Sequence, residues 1–592
     1  MKSVRSLAGL AGIGAILMLL TPACNSLAGS PGGNLTISVA ADGNITTLLA
    51  GLNEGIQATV THAGGNPAVT WTITNCSTNC GSLSNSALDH VIYTAPQNVT
   101  ASSSVSITAT AVVNTSRSAS VSLTIEPLNC SAGNETALKG QYAFEMAGAN
   151  PNFLGMAITQ VGSFTADGTG KITTGEEDGA APPASTFTIQ ASGSSYTLGA
   201  DDRGCLTLLT SDGTTTKYRF AVGGISSGVA TAGRMIEFDD ANGMNTRMEG
   251  VILKQDATAF TTNTFQGNWA FGMAGAGSTG ERVASAGTFT ATSGLVTSGE
   301  FDTNDAGTVT NLSITGGVLG AADANGRVST GMGTSSNGTF LLPETVYIVS
   351  SKQMLALAHP GTFPFGSGEA LRQNVGTFAN NSLNANGVMR ISGFTSGKGA
   401  DVNLGIFTGN GGGSFTGTLD TNDAGTLTGQ QALSGTYVAT ADGRTTTMGF
   451  GSSSPILYLS DNNAGFILGT GSSVDFGIME AQATGPFSNS SLSGIFFFGT
   501  QSAGLLKRPL TSGMITADGA GSYTGTIDES TGTGLVPGNP LSNSYAFSTT
   551  STVTGRGTVD SASDTVAYII SSTRLVFISS SSTTPSITIV EK

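Results

Sequence analysis

The sequence predicts an all-β protein in which an N-terminal β-sandwich is followed by four tandem antiparallel β-meander domains, each an up-and-down barrel or a sandwich. Three observations lead to this prediction. One stretch of sequence occurs four times after residue 160. Runs rich in Thr, Val, Ile, Tyr and Phe alternate with polar residues between turn signals. Beyond the N-terminus, no apolar run has both helical spacing and helix length.

Each copy of the repeat ends in an aspartate, and these aspartates give its period. They lie 124, 118 and 108 residues apart along the chain. The four are Asp178, Asp302, Asp420 and Asp528. Self-similarity at such a spacing indicates tandem domains, and about 110 residues suffice for one small hydrophobic core per unit.

Within each copy, a turn joins two alternating segments. Asp167-Gly168, Asn410-Gly411 and Asp518-Gly519 occupy the same place in copies one, three and four, and glycine accepts the positive φ that hairpin turns require. Copy two is one residue shorter, with Ser293-Gly294 at this point. The core of the repeat is therefore predicted to be a β-hairpin. Consecutive hairpins favour a meander, and closing the meander into a barrel removes exposed strand edges.

Further landmarks recur in each unit. Aromatic residues open three units and are predicted to be core residues, with Tyr142, Trp269 and Phe496 among them. An arginine beside a glycine follows the middle strand of every unit, and we expect these arginines at turn tips, paired with an acid of a neighbouring unit. They are Arg203, Arg327, Arg444 and Arg556. Gln255, Gln373 and Gln482 close the first three units.

The domain boundaries follow from the repeat and from seams rich in Asn, Ser, Thr and Gly. A signal peptide is predicted at 1–24 and a separate β module at 31–127, and the four units are placed at 128–260, 261–377, 378–487 and 488–592.

The N-terminal 24 residues are typical of an export signal. Lys2 and Arg5 precede an apolar run from Leu7 to Leu20, which is too short for a comfortable membrane span. The segment ends in Ala23-Cys24 and resembles a bacterial lipobox, which implies lipidation of Cys24, although Thr21 and Pro22 depart from the usual pattern. Ordinary secretion, with cleavage after Ala23 or Ala28, is the alternative. The predicted location is the outer membrane or cell surface, or the medium.

The five cysteines agree with export. If Cys24 is lipidated, four remain, an even number in an oxidising setting. Cys76 and Cys80 lie four residues apart in one loop, and Cys130 and Cys205 both fall in the first repeat unit. We predict the disulfides Cys76–Cys80 and Cys130–Cys205. The alternative is that one or both pairs stay reduced.

The module at 31–127 has a recognisable pattern of its own. Val69 to Ile73 with the central Trp71, the Cys76/Cys80 pair, Val91 to Pro96 and Val105 to Ala109 resemble the bacterial immunoglobulin-like domains of exported surface proteins. That resemblance implies an Ig-like sandwich, although a four-residue Cys spacing differs from the bridge between sheets in antibody domains. The four later units resemble tandem repeats of uncharacterised exported lipoproteins of soil bacteria, which implies a location and no reaction.

Composition argues against several classes of partner. The formal net charge is −15, the isoelectric point is about 4.6, and no cluster of Lys and Arg occurs after residue 5. Nucleic acid is therefore not an expected partner, and a membrane is expected only through a lipid anchor. We expect a monomer.

Catalytic patterns are weak. The only histidines, His62, His90 and His359, do not recur between units, so no shared Ser-His-Asp site is expected. Gly224 to Gly228 matches Gly-x-Ser-x-Gly but lacks the strand-turn-helix context of a nucleophile elbow. The adjacent acids Glu176 and Glu177 should point to opposite faces of their strand, which argues against a glycosidase pair. We predict no catalytic residue.

A weak calcium site is the remaining cofactor candidate, and no other cofactor is expected. Two identical strings, Asp302 to Gly307 and Asp420 to Gly425, carry several side-chain oxygens on a tight loop. The candidate ligands are Asp302, Asn304, Asp305, Asp420, Asn422 and Asp423. Ordinary turn chemistry explains the same residues, because Asp and Asn cap their own backbone.

The pattern as a whole favours an exported, lipid-anchored surface protein whose tandem β domains bind a surface glycan or a protein, with each domain projecting outward from the membrane and carrying a site in its loops. A structural stalk without a ligand and an extracellular polysaccharide hydrolase are the alternatives.

Overall fold

The structure is a computed structural model of the chain. It describes residues 34–62, 67–76, 79–97, 99–150, 157–179, 185–242, 245–336, 340–358, 363–395, 399–450, 454–501, 509–532, 534–547, 554–560, 565–579 and 585–592. The predicted signal peptide, with Cys24, and His359 lie outside these residues.

The first module is a sandwich of two four-stranded sheets. One sheet has the order β1-β3-β6-β5 and the other the order β2-β8-β7-β4. The strands are β1 Thr36–Ala41, β2 Thr47–Leu49, β3 Asn53–Thr61, β4 Val69–Thr74, β5 Ser82–Ser84, β6 His90–Thr94, β7 Ser103–Ala111 and β8 Ser118–Glu126. Ile56, Tyr93 and Ile107 are fully buried between the sheets, as period-two alternation requires. The Cys76–Cys80 disulfide closes the loop after β4.

The first repeat unit is a nine-stranded antiparallel sheet that curls on itself. Its order is β12-β11-β10-β9-β17-β16-β15-β14-β13. The strands are β9 Lys139–Ala149, β10 Ala157–Asp167, β11 Ile172–Gly179, β12 Ser185–Thr188, β13 Ser195–Leu198, β14 Arg203–Leu209, β15 Thr215–Gly223, β16 Ala232–Glu237 and β17 Arg247–Lys254. Isolated bridges from Lys171 to Ser195 and from Ile189 to Thr210 join the two edges.

The second unit is a closed barrel of eight antiparallel strands in sequence order. The strands are β18 Gly267–Ala276, β19 Arg282–Thr292, β20 Leu295–Asp305, β21 Thr308–Leu319, β22 Arg327–Thr334, β23 Thr345–Ser350, β24 Gln353–Ala358 and β25 Phe365–Arg372. Its fourth strand, β21, is long enough to pair with both neighbours, whereas in unit one that strand is divided into β12 and β13.

The third and fourth units are also closed eight-stranded barrels. The strands of unit three are β26 Asn386–Thr395, β27 Gly399–Gly409, β28 Ser414–Asp423, β29 Thr426–Ala439, β30 Arg444–Met448, β31 Ile456–Asp461, β32 Ala464–Leu468 and β33 Phe476–Ala481. The strands of unit four are β34 Ser493–Gln501, β35 Leu510–Asp518, β36 Ser522–Ser530, β37 Leu535–Ala546, β38 Arg556–Val559, β39 Val566–Ser571, β40 Arg574–Ile578 and β41 Ile587–Glu591. The all-β prediction is confirmed, and these units are barrels rather than sandwiches.

Short 3-10 turns are the only helical segments in the described part of the chain. They are Asp42–Asn44, Glu135–Ala137, Ala257–Ala259, Thr262–Thr264, Asn380–Ser382 and Asn489–Ser491. In units one, three and four, a buried tyrosine holds the turn that opens the unit. The Tyr437 hydroxyl donates to the carbonyl oxygens of Asn380 (2.9 Å) and Leu383 (2.7 Å), and Tyr196 and Tyr545 make the equivalent bonds.

The four units form a closed ring. Unit one contacts unit two through β10 and β24, unit two contacts unit three through β18 and β31, and unit three contacts unit four through β27 and β39. Unit four then returns to unit one, through β35 with β16 and β34 with β17. The expected series of domains projecting outward is wrong, because the seam between units four and one joins the two ends of the repeat array.

The N-terminal sandwich module packs over that last seam. Its core is continuous with Ile236 and Phe238 of unit one and with Leu510 of unit four. Asn242 of unit one donates a 3.0 Å hydrogen bond to the Glu54 carboxylate of the module. The Cys130–Cys205 disulfide links the segment between the two domains to β14. Both predicted disulfides are confirmed.

Candidate binding site

Each of the first three seams of the ring is held by one aspartate of the repeat. At the seam between units two and three, both carboxylate oxygens of Asp302 accept from the Arg444 guanidinium, at 2.7 and 3.0 Å, and the Tyr458 hydroxyl donates at 2.6 Å. The same three-residue contact occurs for Asp178 with Arg327 and Tyr347, and for Asp420 with Arg556 and Tyr568. Arginine with two donors matches a carboxylate in shape as well as in charge. The repeated aspartate is therefore a joint between domains.

The fourth seam is built differently. Asp528 accepts from Arg203 at 2.8 Å, but Ala221 stands where the other units have tyrosine. Arg219, which is 3% exposed, lies 3.9 Å from the same carboxylate and donates to the carbonyl oxygens of Leu128 and Asn129 in the segment that joins unit one to the N-terminal module. This seam is thus adapted to the module. The expectation that the repeated arginines pair with a neighbouring unit's acid is confirmed at all four seams.

The repeated glutamines add a second contact at the first three seams, to carbonyl groups beside the repeated arginine and tyrosine of the next unit. The Gln373 side-chain amide donates to the carbonyl oxygens of Asp442 (2.7 Å) and Leu459 (2.8 Å) of the next unit. Gln255 and Gln482 make the equivalent bonds. Each seam therefore carries an ionic joint and an amide joint, which explains why both residue types recur.

Replacement of Gln373 by leucine should lower the free energy of unfolding by about 2 kcal/mol, because two buried carbonyl oxygens lose their donor. Urea denaturation followed by Trp269 fluorescence measures this change. Gln431→Leu, on the exposed part of β29, is the matched control and should change stability by less than about 0.5 kcal/mol. An equal effect of the two substitutions would contradict the role assigned to Gln373.

Replacement of Tyr458 by phenylalanine should cost about 1–2 kcal/mol, because it removes one hydroxyl donor from a buried charged acceptor and leaves the ring in place. Tyr458 is fully buried, and burial first, with Asp302 next, holds the pKa of its phenol well above the usual range. The phenol therefore stays protonated at neutral pH and donates to Asp302. The measurement is the midpoint of urea denaturation. Tyr523→Phe serves as the comparison, because the Tyr523 hydroxyl bonds to Asp560 within one unit. Intact stability of the Tyr458 variant would contradict the seam description.

Four of the six candidate calcium ligands form hydrogen bonds with other protein groups across the seams. Asp302 and Asp420 belong to the seam joints, and Asn304 is fully buried, with its amide donating to the carbonyl oxygens of Gly469 and Gly471 at 2.8 and 2.9 Å. Asn422 likewise donates to the Ser579 carbonyl. In the described residues, no group of three or more His, Cys, Asp or Glu side chains is arranged to hold a metal ion. The prediction for these residues, including Asp305 and Asp423, therefore gains no support.

The other catalytic candidates are placed as follows. Ser226 is exposed in the turn between β15 and β16, so its flanks are two strands, and the nucleophile-elbow geometry is not formed. His90 lies 3.8 Å from Asp42 on the N-terminal module. Glu176 and Asp178 face the seam with unit two, where Glu176 meets Asp323, whereas Glu177 between them is buried on the other face. The sequence prediction for these adjacent acids is confirmed.

A cavity of about 180 Å³ lies on the axis of the ring, between the first and last strands of the units. All four units contribute to its wall, from β9 and β17 of unit one to β34 and β41 of unit four. Three glutamates and three arginines line it, and they are Glu145, Glu249, Glu369, Arg234, Arg282 and Arg390. Sequence analysis missed all six, because the ring that brings them together was not foreseen.

The axis-facing charges are the part of the unit that does not repeat. Strand register places Glu145, Gly272, Arg390 and Gly499 at equivalent positions of the four first strands. On the last strands, the equivalent residues are Val251, Glu369, Ile478 and Ile589. What all four units share serves the barrel and the seams, whereas the charges at the axis are not required by the fold. Since burying charge costs free energy, these side chains point to a function at the axis.

A chain of ion pairs crosses the ring beside the cavity. Arg234 of unit one donates to Glu591 of unit four at 2.7 and 3.0 Å, and Arg574 pairs with both Glu591 and Glu480. Glu480 also pairs with Arg390 at 3.2 Å. Units three, four and one are joined at the axis by this chain.

The remaining carboxylates of the wall are bonded by neutral groups. Ser367 bonds to Glu145, the Gln353 amide donates to Glu369 at 2.9 Å, and the Thr500 hydroxyl donates to Glu249. Burial raises the pKa of Glu145 to about 7, and the nearby Glu369 adds to that rise, while the Ser367 bond and Arg234 oppose it. Burial likewise lowers the pKa of Arg234 to about 10, although it faces Glu480, Glu369 and Glu145. The Glu145 carboxyl group therefore keeps its proton to a higher pH than a glutamate in water does.

No family model matches the chain, and no curated protein matches it either. In the part of the chain that the structure describes, none of the helices has the length and apolar character needed to cross a membrane.

Proposed function

We propose that the chain is an exported, lipid-anchored cell-surface binding protein and that its ligand is held on the axis of the ring by side chains from all four units. The observation that carries this proposal is the set of non-repeated charged residues around the axial cavity. Convergent polar groups in a cavity are the general mark of a small-molecule site. A ring with one axial site replaces the earlier expectation of a separate site in the loops of each domain.

Export is supported by the leader pattern of residues 1–24 and by the two disulfides, since disulfides persist in oxidising compartments. Lipidation rests on Cys24 alone. Cell fractionation should place the wild-type protein in the membrane fraction and Cys24→Ser in the soluble periplasmic or secreted fraction. Recovery of the wild-type chain from the cytoplasm, with its cysteines reduced, would contradict the proposed location.

Binding at the axis is tested by filling the cavity. Ala274 lines it and is only partly buried, so Ala274→Met would occupy space within the site. The full chain is titrated with a panel of monosaccharides, amino acids and small amines, and its melting temperature is recorded. At least one compound should raise the melting temperature of the wild type, because binding to the native state alone stabilises it.

The matched control is Val438→Met, which places the same side chain on the exposed face of unit three. The control should keep the ligand response, and Ala274→Met should lose it. A response that survives in both variants would move the site away from the axis. No response from any compound would favour the alternative of a structural envelope component without a ligand.

A polysaccharide hydrolase is the second candidate, because Glu145 and Glu369 lie near each other in the wall of one cavity. A carboxylic acid with a raised pKa beside a second carboxylate is the arrangement that glycosidases use. Hydrolysis of aryl glycosides that Glu145→Gln abolishes would establish this activity. Binding without turnover would leave the binding function as the better description.

A further inference from the structure

We propose that the axial cavity takes a small organic cation, a primary ammonium compound of at most monosaccharide size, whose ammonium group lies beside Glu145 and Glu369. This inference rests on the proposed binding function and names the class of its ligand. It follows from the charge balance of the wall, from one unsatisfied hydroxyl, and from the size of the cavity.

The first argument is charge. The axis contains the carboxylates of five glutamates against the guanidinium groups of three arginines. They are Glu145, Glu249, Glu369, Glu480 and Glu591, with Arg234, Arg390 and Arg574. Glu480 and Glu591 each pair directly with two arginines. Glu145 and Glu369 lie on the cavity side with Arg234 as the shared nearby cation. Negative charge therefore exceeds positive charge where Glu145 meets Glu369.

The proton that Glu145 takes up near neutral pH reduces this excess of negative charge in the unliganded protein. A ligand ammonium group would do the same and would add hydrogen bonds to carboxylate oxygens, which are strong when the donor is charged. The ligand then competes with a proton for one site. Binding at a pH below 7 should consequently release about one proton per ligand, as linkage requires.

Arg282, the third arginine of the wall, does not offset this excess. It donates to the carbonyl oxygens of Val474 (3.0 Å) and Ser392 (3.1 Å), and the carboxyl groups of Asp401 and Asp475 already lie near it.

The second argument is a hydroxyl group. Thr159 lines the cavity, its side chain is 3% exposed, and its Oγ1 has no hydrogen-bond partner among the described residues. A buried polar atom without a partner costs free energy, so this one is expected to bond a ligand. Because a hydroxyl group donates and accepts, it suits the hydroxyl of an amino alcohol or an amino sugar.

The third argument is size and geometry. A cavity of about 180 Å³ is comparable to engineered cavities of about 150 Å³ that hold benzene, and it lies below the range of about 300–1,000 Å³ for drug-sized ligands. The described acidic side chains do not converge on a metal-sized point. A compact organic cation meets both conditions.

The experiment compares amines with neutral compounds of the same shape. Isothermal titration calorimetry of the full chain uses glucosamine and ethanolamine as probes, with glucose and ethylene glycol as their neutral counterparts and galacturonate as an anion. At least one amine should bind, and its neutral counterpart should bind at least tenfold more weakly. Titration at pH 6 in two buffers of different ionisation enthalpy should reveal proton release.

Two variants locate the site. Glu145→Gln should weaken amine binding at least tenfold and abolish the proton release. Thr159→Val should weaken amine binding by a smaller factor and leave the proton release unchanged. Glu145→Gln replaces a buried acid by an amide of the same shape, so it should fold. Glu529→Gln, away from the cavity wall, should bind as the wild type does.

The outcomes separate this inference from the proposed function. Equal or tighter binding of a neutral sugar or of galacturonate overturns the ammonium ligand and keeps a binding function at the axis. Amine binding that is unchanged in Glu145→Gln overturns the assigned site. Failure of every probe in the wild type, in calorimetry and in melting temperature, overturns both proposals.

Discussion

Replacement of Asp302 by asparagine should lower the free energy of unfolding by about 3 kcal/mol. Asp302 is 1% exposed, and its two oxygens receive the Arg444 guanidinium and the Tyr458 hydroxyl. The amide keeps the shape but loses the charge, so a largely buried guanidinium is left without its counterion. Removing one partner of a buried ion pair typically costs about 3–5 kcal/mol, and the 20% exposure of the Arg444 side chain places this seam at the lower end.

The measurement is urea denaturation followed by fluorescence, for which the two tryptophans are well placed. Trp269 is fully buried in unit two, the unit that carries Asp302, and Trp71 belongs to the N-terminal module. If the ring unfolds as one cooperative body, the substitution should shift both signals together. If each barrel is independent, the Trp269 transition alone should move.

The control is Asp305→Asn, an exposed acid at the end of the same strand. It should change stability by less than about 0.5 kcal/mol. Comparable losses in the two variants would mean that charge on this strand, rather than the joint between units, supports the fold.

The barrels were predictable because their signals are local. The turn at Asp167-Gly168 illustrates this: Gly168 has a φ of 84°, and the Asp167 carboxylate accepts from the backbone nitrogen atoms of Thr169 and Lys171 at 2.6 and 3.1 Å. A short stretch of sequence contains every atom of that turn. The two disulfides were predictable in a similar way. Cys76 and Cys80 lie in one loop, and Cys130 and Cys205 lie in one unit, so each cysteine has few other possible partners.

The ring was not predictable in the same way. Asp302 and Arg444 are 142 residues apart, and repetition alone shows that each matters without showing that they meet. An aspartate in a turn-like string also resembles a metal ligand, which is why the same residues suggested calcium. The decisive fact, that the Asp of one unit meets the Arg of the next, depends on how the barrels pack against each other.

The axial cavity lay further from prediction. Its charged residues occupy strand positions that differ between the units: Glu145 and Arg390 lie where the other two units carry Gly272 and Gly499. Because these positions differ between the units, the repeat pattern does not include them. Comparison of the copies becomes informative at these points only when the axis is known, because departures from the repeat then fall together in space.

The protein should be more stable near pH 5 than near pH 8, in part because of Glu145. Burial raises the pKa of this carboxyl to about 7, whereas a glutamate in an unfolded chain titrates at about 4.3. Between these values the folded state binds more protons than the unfolded state, so stability falls as the pH rises, by up to about 1.4 kcal/mol per pH unit for one group. Above about pH 7 both states are ionised and the loss stops.

Other buried acids act in the same direction, and the lower limit is set by the seams. Burial is the first cause that raises the pKa values of Glu54, Glu177 and Glu300 to about 7. Asp178 behaves in the opposite sense: burial alone would raise its pKa, but the bonds from Arg327, Thr186 and Tyr347 hold that pKa below its usual range. Its contribution is present above the unfolded pKa and is lost as the pH falls through the lowered value, so stability should decline again in strong acid.

Glu145→Gln isolates the axial contribution. Ser367, Glu369 and Arg234 face Glu145, and Glu249 lies on the adjacent strand; all four remain in the variant. The loss of unfolding free energy between pH 5 and pH 8, measured by urea denaturation at each pH, should be smaller in the variant by about 2–3 kcal/mol. Glu529→Gln should leave the wild-type profile unchanged. Identical profiles for the wild type and Glu145→Gln would mean that this carboxyl titrates as it does in water. The axis would then not be a desolvated site with too little positive charge.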